Sequence, residues 1–432
     1  MKVALYTLGC RVNSYESEAM AEQFIKEGYE VVDYSEFADV YVINTCTVTN
    51  MGDKKSRQMI GRARRLNSEA IIAVVGCYSQ IASDEVASIE GVDVVLGSRN
   101  KGEVVYWVNR TREEKKQVIE VNDVLKNKKF EELSINEYQD KTRAFLKIQD
   151  GCNKFCTYCL IPFARGAVCS KDPEQILNEV KELSKNGFKE IILSGVHTAS
   201  YGVDIKGDWN LVRILEEIDK IDGIERIRIG SIDPTFFTED VIERVYNLKK
   251  LCPHFHLSLQ SGCDATLRRM NRKYTAAEYK EVCDNLRKYM KDVSITTDVI
   301  VGFPGESVGE FEETYKFLSD IKLSKMHIFK YSKRAGTKAA DMPFQVDGNL
   351  KEERSKALID LNLKNEVEFM GSFIGRTMSV LYEEKASENE NTYVGYTENY
   401  IKVITLNNED ISGKIVPTKV VAVEAEHMVG EM

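Results

Sequence analysis

The chain has 432 residues, with 59 Lys and Arg against 68 Asp and Glu and a formal net charge of −9. That length corresponds to about three ordinary domains, and 43% apolar with 29% charged residues excludes a disordered or fibrous chain. The acidic balance argues against non-specific coating of nucleic acid, which depends on Lys and Arg neutralising phosphates, while leaving a local basic site open.

The N-terminus turns polar by Arg11, too early for a signal-peptide core, and no apolar run approaches the roughly 20 residues of a membrane helix. A cytoplasmic protein with no membrane partner is therefore expected. In that reducing compartment the ten cysteines are expected to ligate metal or do chemistry rather than form disulfides.

In chain order, Val3–Thr7, Val40–Asn44 and Ile71–Val75 read as buried parallel strands, and Tyr15–Lys26, Lys54–Leu66 and Ser83–Ile89 as the helices between them. This βαβ rhythm predicts an N-terminal doubly wound α/β sheet over 1–115. Residues 116–140, including Lys126-Asn127-Lys128-Lys129, read as a linker. From 141 to 370 six strand-like runs follow: Phe145–Gln149, Glu190–Ser194, Arg226–Gly230, His254–Leu259, Ile295–Val301 and Lys325–Lys330. With helices between them they predict a partial (β/α)6 barrel, open along one side. Residues 371–432 change to short alternating segments with polar turns, which fit a small OB-like β-barrel.

Cys152, Cys156 and Cys159 stand at C-x3-C-x2-C immediately after the first barrel strand. Three thiolates on one loop suit a four-iron cluster with one iron left open for a ligand. A zinc knot is the rival reading, but zinc usually takes four ligands in C-x2-C pairs, and no fourth Cys or His lies at matching spacing. The loop resembles the radical SAM superfamily, whose open iron binds S-adenosylmethionine (SAM) and whose reductive cleavage of SAM yields a 5′-deoxyadenosyl radical. Ligands in such barrels sit at the carboxyl ends of the strands, which makes Ser194, Gly195, Ser231, Asp233, Gln260, Ser261 and Gly302 candidate SAM contacts.

Cys10, Cys46 and Cys77 occur in one construction repeated three times: Leu8-Gly9-Cys10, Asn44-Thr45-Cys46 and Val75-Gly76-Cys77. Each cysteine follows the end of a predicted parallel strand, and such ends share one edge of an open sheet. Burial as a small apolar residue is a fair reading of any single cysteine, but three in register point to a second cluster.

The motifs Leu8–Glu18, Asn44-Thr45-Cys46, Gly76-Cys77, Cys152–Arg165 and Thr296–Glu306 together resemble the methylthiotransferase family along essentially the whole chain. The segment Val394–Tyr400 is similar to that family's RNA-contacting TRAM domain. Gly9-Cys10-Arg11-Val12-Asn13 with Tyr15-Glu16-Ser17-Glu18 is more similar to the bacterial branch that modifies N6-threonylcarbamoyladenosine beside the anticodon than to the branches acting on isopentenyladenosine or a ribosomal-protein aspartate. The resemblance implies a tRNA substrate, two [4Fe-4S] clusters, SAM and an unidentified reductant. It assigns C2 hydrogen abstraction to the Cys152/Cys156/Cys159 cluster, sulfur presentation to the Cys10/Cys46/Cys77 cluster and methyl donation to a second SAM.

For RNA contact the sequence offers Lys54, Lys55, Arg57, Arg62, Arg64 and Arg65 on the second helix, Arg268, Arg269 and Arg272 after the fourth barrel strand, and Tyr396 and Tyr400 as stacking platforms. Charge runs are often only solvated helix faces, and the segment from Gly371 holds five Lys and Arg against ten Asp and Glu, so contact there should rest on shape and stacking. Cys169 stands where the resembling family usually carries Arg. Cys252, Cys263 and Cys283 read as buried apolar residues, and His197 has no assigned role.

Overall fold

The computed structural model describes residues 1–47, 50–133, 135, 142–385 and 391–432. The expected linker lies partly outside these. The first unit alternates β1 (Lys2–Thr7), α1 (Arg11–Lys26), β2 (Glu30–Val32), β3 (Val40–Thr45), α2 (Asn50–Leu66), β4 (Ile71–Gly76), the short α3 (Cys77–Ile81) and α4 (Ser83–Ala87), β5 (Val94–Leu96), α5 (Val104–Glu114) and β6 (Val118–Glu120). All six strands are parallel in the order β2-β1-β3-β4-β5-β6. Alternation along β3 explains the double winding. Tyr41 and Ile43 pack with Met59, Ile60 and Ala63 of α2, while Val40 and Val42 pack with Met20 and Phe24 of α1 and Val104 and Val108 of α5. Strands buried on both faces must be apolar throughout, which makes them readable in the sequence. The sheet extends past the expected boundary at 115, because Val118–Glu120 pairs with β5.

The second unit contains β7 (Arg143–Lys147), β8 (Gln149–Asp150), α6 (Ile161–Arg165), β9 (Cys169–Ser170), α7 (Pro173–Lys185), β10 (Glu190–Ser194), α8 (Leu211–Asp219), β11 (Arg226–Ile229), α9 (Glu239–Tyr246), β12 (His254–His256), α10 (Asp264–Arg269), α11 (Ala276–Tyr289), β13 (Ser294–Val301), α12 (Val308–Ile321), β14 (Lys325–Lys330) and α13 (Gly348–Gly371). Six parallel strands form two three-stranded sheets, β7-β10-β11 and β12-β13-β14, joined by parallel bridges from Ile227 to Leu251 and Ile232 to Leu257. The helices start on local signals. Asp172 caps α7 ahead of Pro173, and Thr275 with Glu278 and Ser307 with Glu310 form capping boxes on α11 and α12, each satisfying amides that a helix start leaves unpaired. Every second strand residue packs outward on these helices: Ala144 and Leu146, Ile191 and Leu193, Ile227 and Ile229. The intervening residues therefore face the lumen.

The last unit is β15 (Thr377–Lys385), β16 (Thr392–Thr397), β17 (Lys402–Leu406), β18 (Ile415–Glu424) and β19 (His427–Glu431). It closes in the order β15-β16-β17-β19-β18, with β17 and β19 parallel, the five-stranded Greek-key arrangement expected of an OB-like barrel. Among the described residues no helix is long and apolar enough to cross a membrane.

Candidate active site

The three N-terminal cysteines converge because their strands are neighbours. Thr7 of β1 pairs with Asn44 of β3, which pairs with Val75 of β4, so the chain leaves the three strands at one level. Gly9 adopts φ +101°, and a Cβ there would stand 2.8 Å from both Cβ and Sγ of Cys46. Cys10 lies within electrostatic reach of Cys77 and Arg165. Asn13 ties the loops together by donating from Nδ2 to the carbonyls of Leu8 (2.7 Å) and Thr45 (2.9 Å).

On the second loop, Cys152, Cys156 and Cys159 are half-buried. Gly151 must be glycine, since φ is +72° and a Cβ would strike the Ala167 carbonyl. The sulfurs meet donors: Ile161 N–H points to Cys159 Sγ at 3.4 Å, and Arg272 Nη1 to Cys156 Sγ at 3.4 Å. Such donors stabilise negative sulfur in an iron–sulfur site. Burial pushes the free Cys159 thiol up to about 12, so metal must displace its proton to bind. Among the described residues no three His, Cys, Asp or Glu side chains lie close enough to share a single metal ion. A four-iron cluster, in which each thiolate takes a different iron, spans more than one ion does.

A fully buried ionic network joins the two loops. Glu16 of α1 accepts from Lys147 (2.7 Å) and Arg165 (2.6 and 3.0 Å), and pairs with Lys101. Asp150 pairs with Lys147 (2.7 Å) and Arg165 (3.2 Å), and Arg165 Nε donates to Cys77 Sγ at 3.3 Å. Burial opposes ionisation of Glu16, but Arg165, Lys101 and Lys147 outweigh it and hold its carboxyl well below the usual range. Asp150, likewise buried, is brought to about 2 by Lys147 and Arg165. Burial pushes the neighbouring Glu131 the other way, toward its neutral form. Three buried cations thus face two firmly ionised carboxylates.

Comparison with known proteins places the chain in a family. The radical SAM superfamily profile matches residues 146–318, and a second profile, uncharacterized protein family UPF0004, matches residues 2–97. The chain is 46% identical to the threonylcarbamoyladenosine tRNA methylthiotransferase MtaB of Bacillus subtilis strain 168, over 97% of this chain and 93% of that one. It is 42% identical to MtaB of Aquifex aeolicus over 96% and 99%. It is 36% identical to the tRNA-2-methylthio-N(6)-dimethylallyladenosine synthase of Thermoanaerobacter pseudethanolicus over 99% and 91%. The chain belongs to the radical SAM tRNA methylthiotransferases. Its fold is also similar to that of the radical SAM methyltransferase TsrM from Kitasatospora setae, with a TM-score of 0.59 and 13% identity over 78% of this chain and 77% of that one.

In this methylthiotransferase the expected SAM contacts separate into groups. Asp233 stands beside the radical SAM loop, with its carboxylate facing Arg272 (3.5 Å), Lys154 (3.7 Å) and His197 (3.7 Å). His197, left without a role by the sequence, lies beside Asp233 and holds Ser200 by Nδ1 at 2.5 Å. Ser231 is exposed and Ser194 buried at strand ends. A Cβ on Gly195 would lie 2.8 Å from Gln149 Oε1, and Gln260 takes φ +75°. Ser261 departs from expectation: it is buried against Thr314 Oγ1 (3.2 Å) and accepts from Cys263 N–H, helping to start α10. Gly302 donates its N–H to Glu306 Oε1 (2.9 Å), and a Cβ there would strike Lys351, so its role is in backbone packing.

The expected RNA contacts also divide. Lys54, Lys55, Arg62, Arg65 and Arg268 are exposed. Arg57 instead donates to Tyr78 (2.9 Å) and Glu85 (3.2 Å), and Arg64 is engaged by the Ser68 and Gly91 carbonyls. Arg269 forms a fork with Glu310 (2.9 and 2.8 Å). Arg272 is turned inward to Cys156, Asp233 and Tyr274 rather than outward to RNA. Tyr396 and Tyr400 stack on each other at 5.1 Å and are covered by Arg143 (4.7 Å from the Tyr396 centroid) and Arg228 (4.6 Å from that of Tyr400). They dock the small barrel onto the large one and are not free platforms for bases. Cys169 is buried in β9 opposite Asp150.

Proposed function

We propose that this methylthiotransferase converts N6-threonylcarbamoyladenosine, next to the tRNA anticodon, into its 2-methylthio derivative, acting in the cytoplasm with electrons from an external reductant. Overall, the C2 hydrogen is removed and a C–S–CH3 unit takes its place. The observation that carries this reading is identity of 46% and 42% along nearly the whole chain to relatives of that name, combined with one triad of cysteines at neighbouring strand ends and a second on a single loop.

Cys152, Cys156 and Cys159 would hold one four-iron cluster and Cys10, Cys46 and Cys77 a second, the first supplying the electron that cleaves SAM and the second a site for sulfur. The protein's own residues position both. Arg272 fixes the radical SAM loop against Asp233, and Arg165 locks the Cys77 loop to the barrel through Glu16 and Asp150. Lys54, Lys55, Arg62, Arg65 and Arg268, all exposed, would neutralise tRNA phosphates.

The test is mass spectrometry of tRNA nucleosides after expression in a host lacking the activity. Appearance of 2-methylthio-N6-threonylcarbamoyladenosine is expected; 2-methylthio-isopentenyladenosine alone would transfer the protein to the other branch.

A further inference from the structure

The lumen of the large barrel contains charged residues that neither cysteine triad uses, and nearly all are paired. Arg143 meets Glu383 at 2.5 Å, Arg228 meets Glu190 at 2.7 Å, Lys325 meets Glu366 at 2.6 Å, and His256 meets Asp298 at 3.3 Å. Burial, reinforced by Arg228, holds His254 well below the usual histidine range and therefore neutral. Arg11 differs. It enters from the N-terminal domain, and its guanidinium lies 5.5 Å from the centroid of Phe145, a lumen-facing residue of β7, and 5.8 Å from that of Tyr400. Nη2 donates to Tyr400 Oη at 3.1 Å. Among the described residues no carboxylate lies within ion-pair distance of it, and the residue is exposed. A cation held by two aromatic rings and a hydroxyl is positioned without being neutralised.

Its position in the chain matters as much as its charge. Arg11 directly follows Cys10, so it borders the site proposed to deliver sulfur to adenine C2. On the adenine ring only N1 separates C2 from C6, the carbon that bears N6. When C2 meets the cysteine triad, the N6 substituent must therefore lie close by, at the mouth of the lumen. We propose that Arg11 is a specificity-determining residue that binds the carboxylate of the amino-acid substituent on N6. This rests on the threonylcarbamoyladenosine reading above. A guanidinium pairs with a carboxylate by two parallel hydrogen bonds, whereas an uncharged hydrocarbon substituent would desolvate the cation without replacing its water, a penalty that rejects the wrong base. Phe145 and Tyr400 keep the fork aimed, so the pocket is assembled from all three domains.

The test uses full-length, anaerobically reconstituted protein and two anticodon stem-loops, one carrying N6-threonylcarbamoyladenosine and one in which the threonyl carboxylate is replaced by carboxamide. Equilibrium binding and kcat/KM are measured for wild type, Arg11→Gln and Arg11→Lys. Wild type should favour the carboxylate RNA by roughly 10- to 100-fold, the usual value of a hydrogen bond to a charged group. Arg11→Gln should lose that preference while binding the carboxamide RNA as wild type does, and Arg11→Lys should restore part of it. Equal weakening toward both RNAs, or a preference retained in Arg11→Gln, would overturn the assignment. Wild type that ignores both RNAs but modifies an isopentenyladenosine stem-loop would overturn the functional reading on which it rests, a result distinct from either.

Discussion

Replacing Glu16 with Gln should have a large effect for a change of one atom. Both Glu16 oxygens are buried and face Lys101, Lys147 and Arg165. Lys101 comes from the N-terminal domain, and Lys147 and Arg165 come from the barrel. Glutamine keeps the shape but presents one amide N–H2 to the cations, leaving buried positive charge uncompensated. Removing one partner from a buried ion cluster costs about 3–5 kcal/mol, and a domain of 150–250 residues loses about 2–4 °C of melting temperature per kcal/mol. The product is a drop of about 6–20 °C, which anaerobic thermal melts followed by circular dichroism would detect. The pH dependence carries a sign. Because the folded-state values of Glu16 and Asp150 are depressed, with Asp150 at about 2, their stabilisation is fully present above the ordinary carboxylate range near pH 4. It is lost as pH falls through the folded values. The gap between wild type and Glu16→Gln should therefore be constant from neutrality to about pH 5 and shrink in stronger acid. An unchanged melting point, or a gap that widens on acidification, would refute the reasoning.

Anaerobically reconstituted protein should bind about eight irons, and changing Cys152, Cys156 and Cys159 together to Ala should leave about half; stoichiometric zinc without iron uptake would count against both cluster sites. Changing Cys10, Cys46 and Cys77 to Ala should abolish methylthiolated product yet retain some reductive cleavage of SAM, measured as 5′-deoxyadenosine. Replacing Arg62 and Arg65 with Gln should flatten the dependence of tRNA affinity on salt, with the slope falling by about one for each phosphate no longer neutralised. The same change at Arg64, whose guanidinium is engaged by the Ser68 and Gly91 carbonyls, should leave the slope unchanged.

The cysteines and strands are legible in the sequence because both are local. A strand buried on two faces is apolar over its whole length, and each cysteine follows its strand by a fixed short step. The ionic network is not local. Glu16 and Arg165 are 149 residues apart, and nothing near either residue signals the other. The run Arg268–Lys273 misleads for a different reason. α10 ends at Arg269, and Asn271 takes φ +62°, reversing the chain so that Arg268 points outward while Arg272 reaches the radical SAM loop. Tyr396 and Tyr400 resemble RNA platforms, yet the alternation Arg226-Ile227-Arg228-Ile229 holds a usable signal. A strand that turns its apolar residues toward helices must turn its arginines toward the lumen, where they need partners. Arg226 finds the carbonyls of Ser379 (2.8 Å) and Tyr396 (3.0 Å), and Arg228 that of Thr397 (2.8 Å).

The shared level of β1, β3 and β4 bears on how such chains can vary. Neighbouring strands stand about 4.8 Å apart, so the sheet itself acts as a ruler that sets the separation of the three N-terminal thiols. The helices and turns between the strands contribute nothing to that separation, and lengthening a surface loop costs little, about 0.6 kcal/mol per doubling. Insertions between Ser35 and Phe37, which are exposed, or between Asn67 and Ala70 should leave the thiols in place. One residue added between Thr7 and Cys10, or between Val75 and Cys77, would move a sulfur off the common edge. Counting from cysteine to cysteine is thus a poor label for this site in a diverged chain; counting from the last strand residue is a good one.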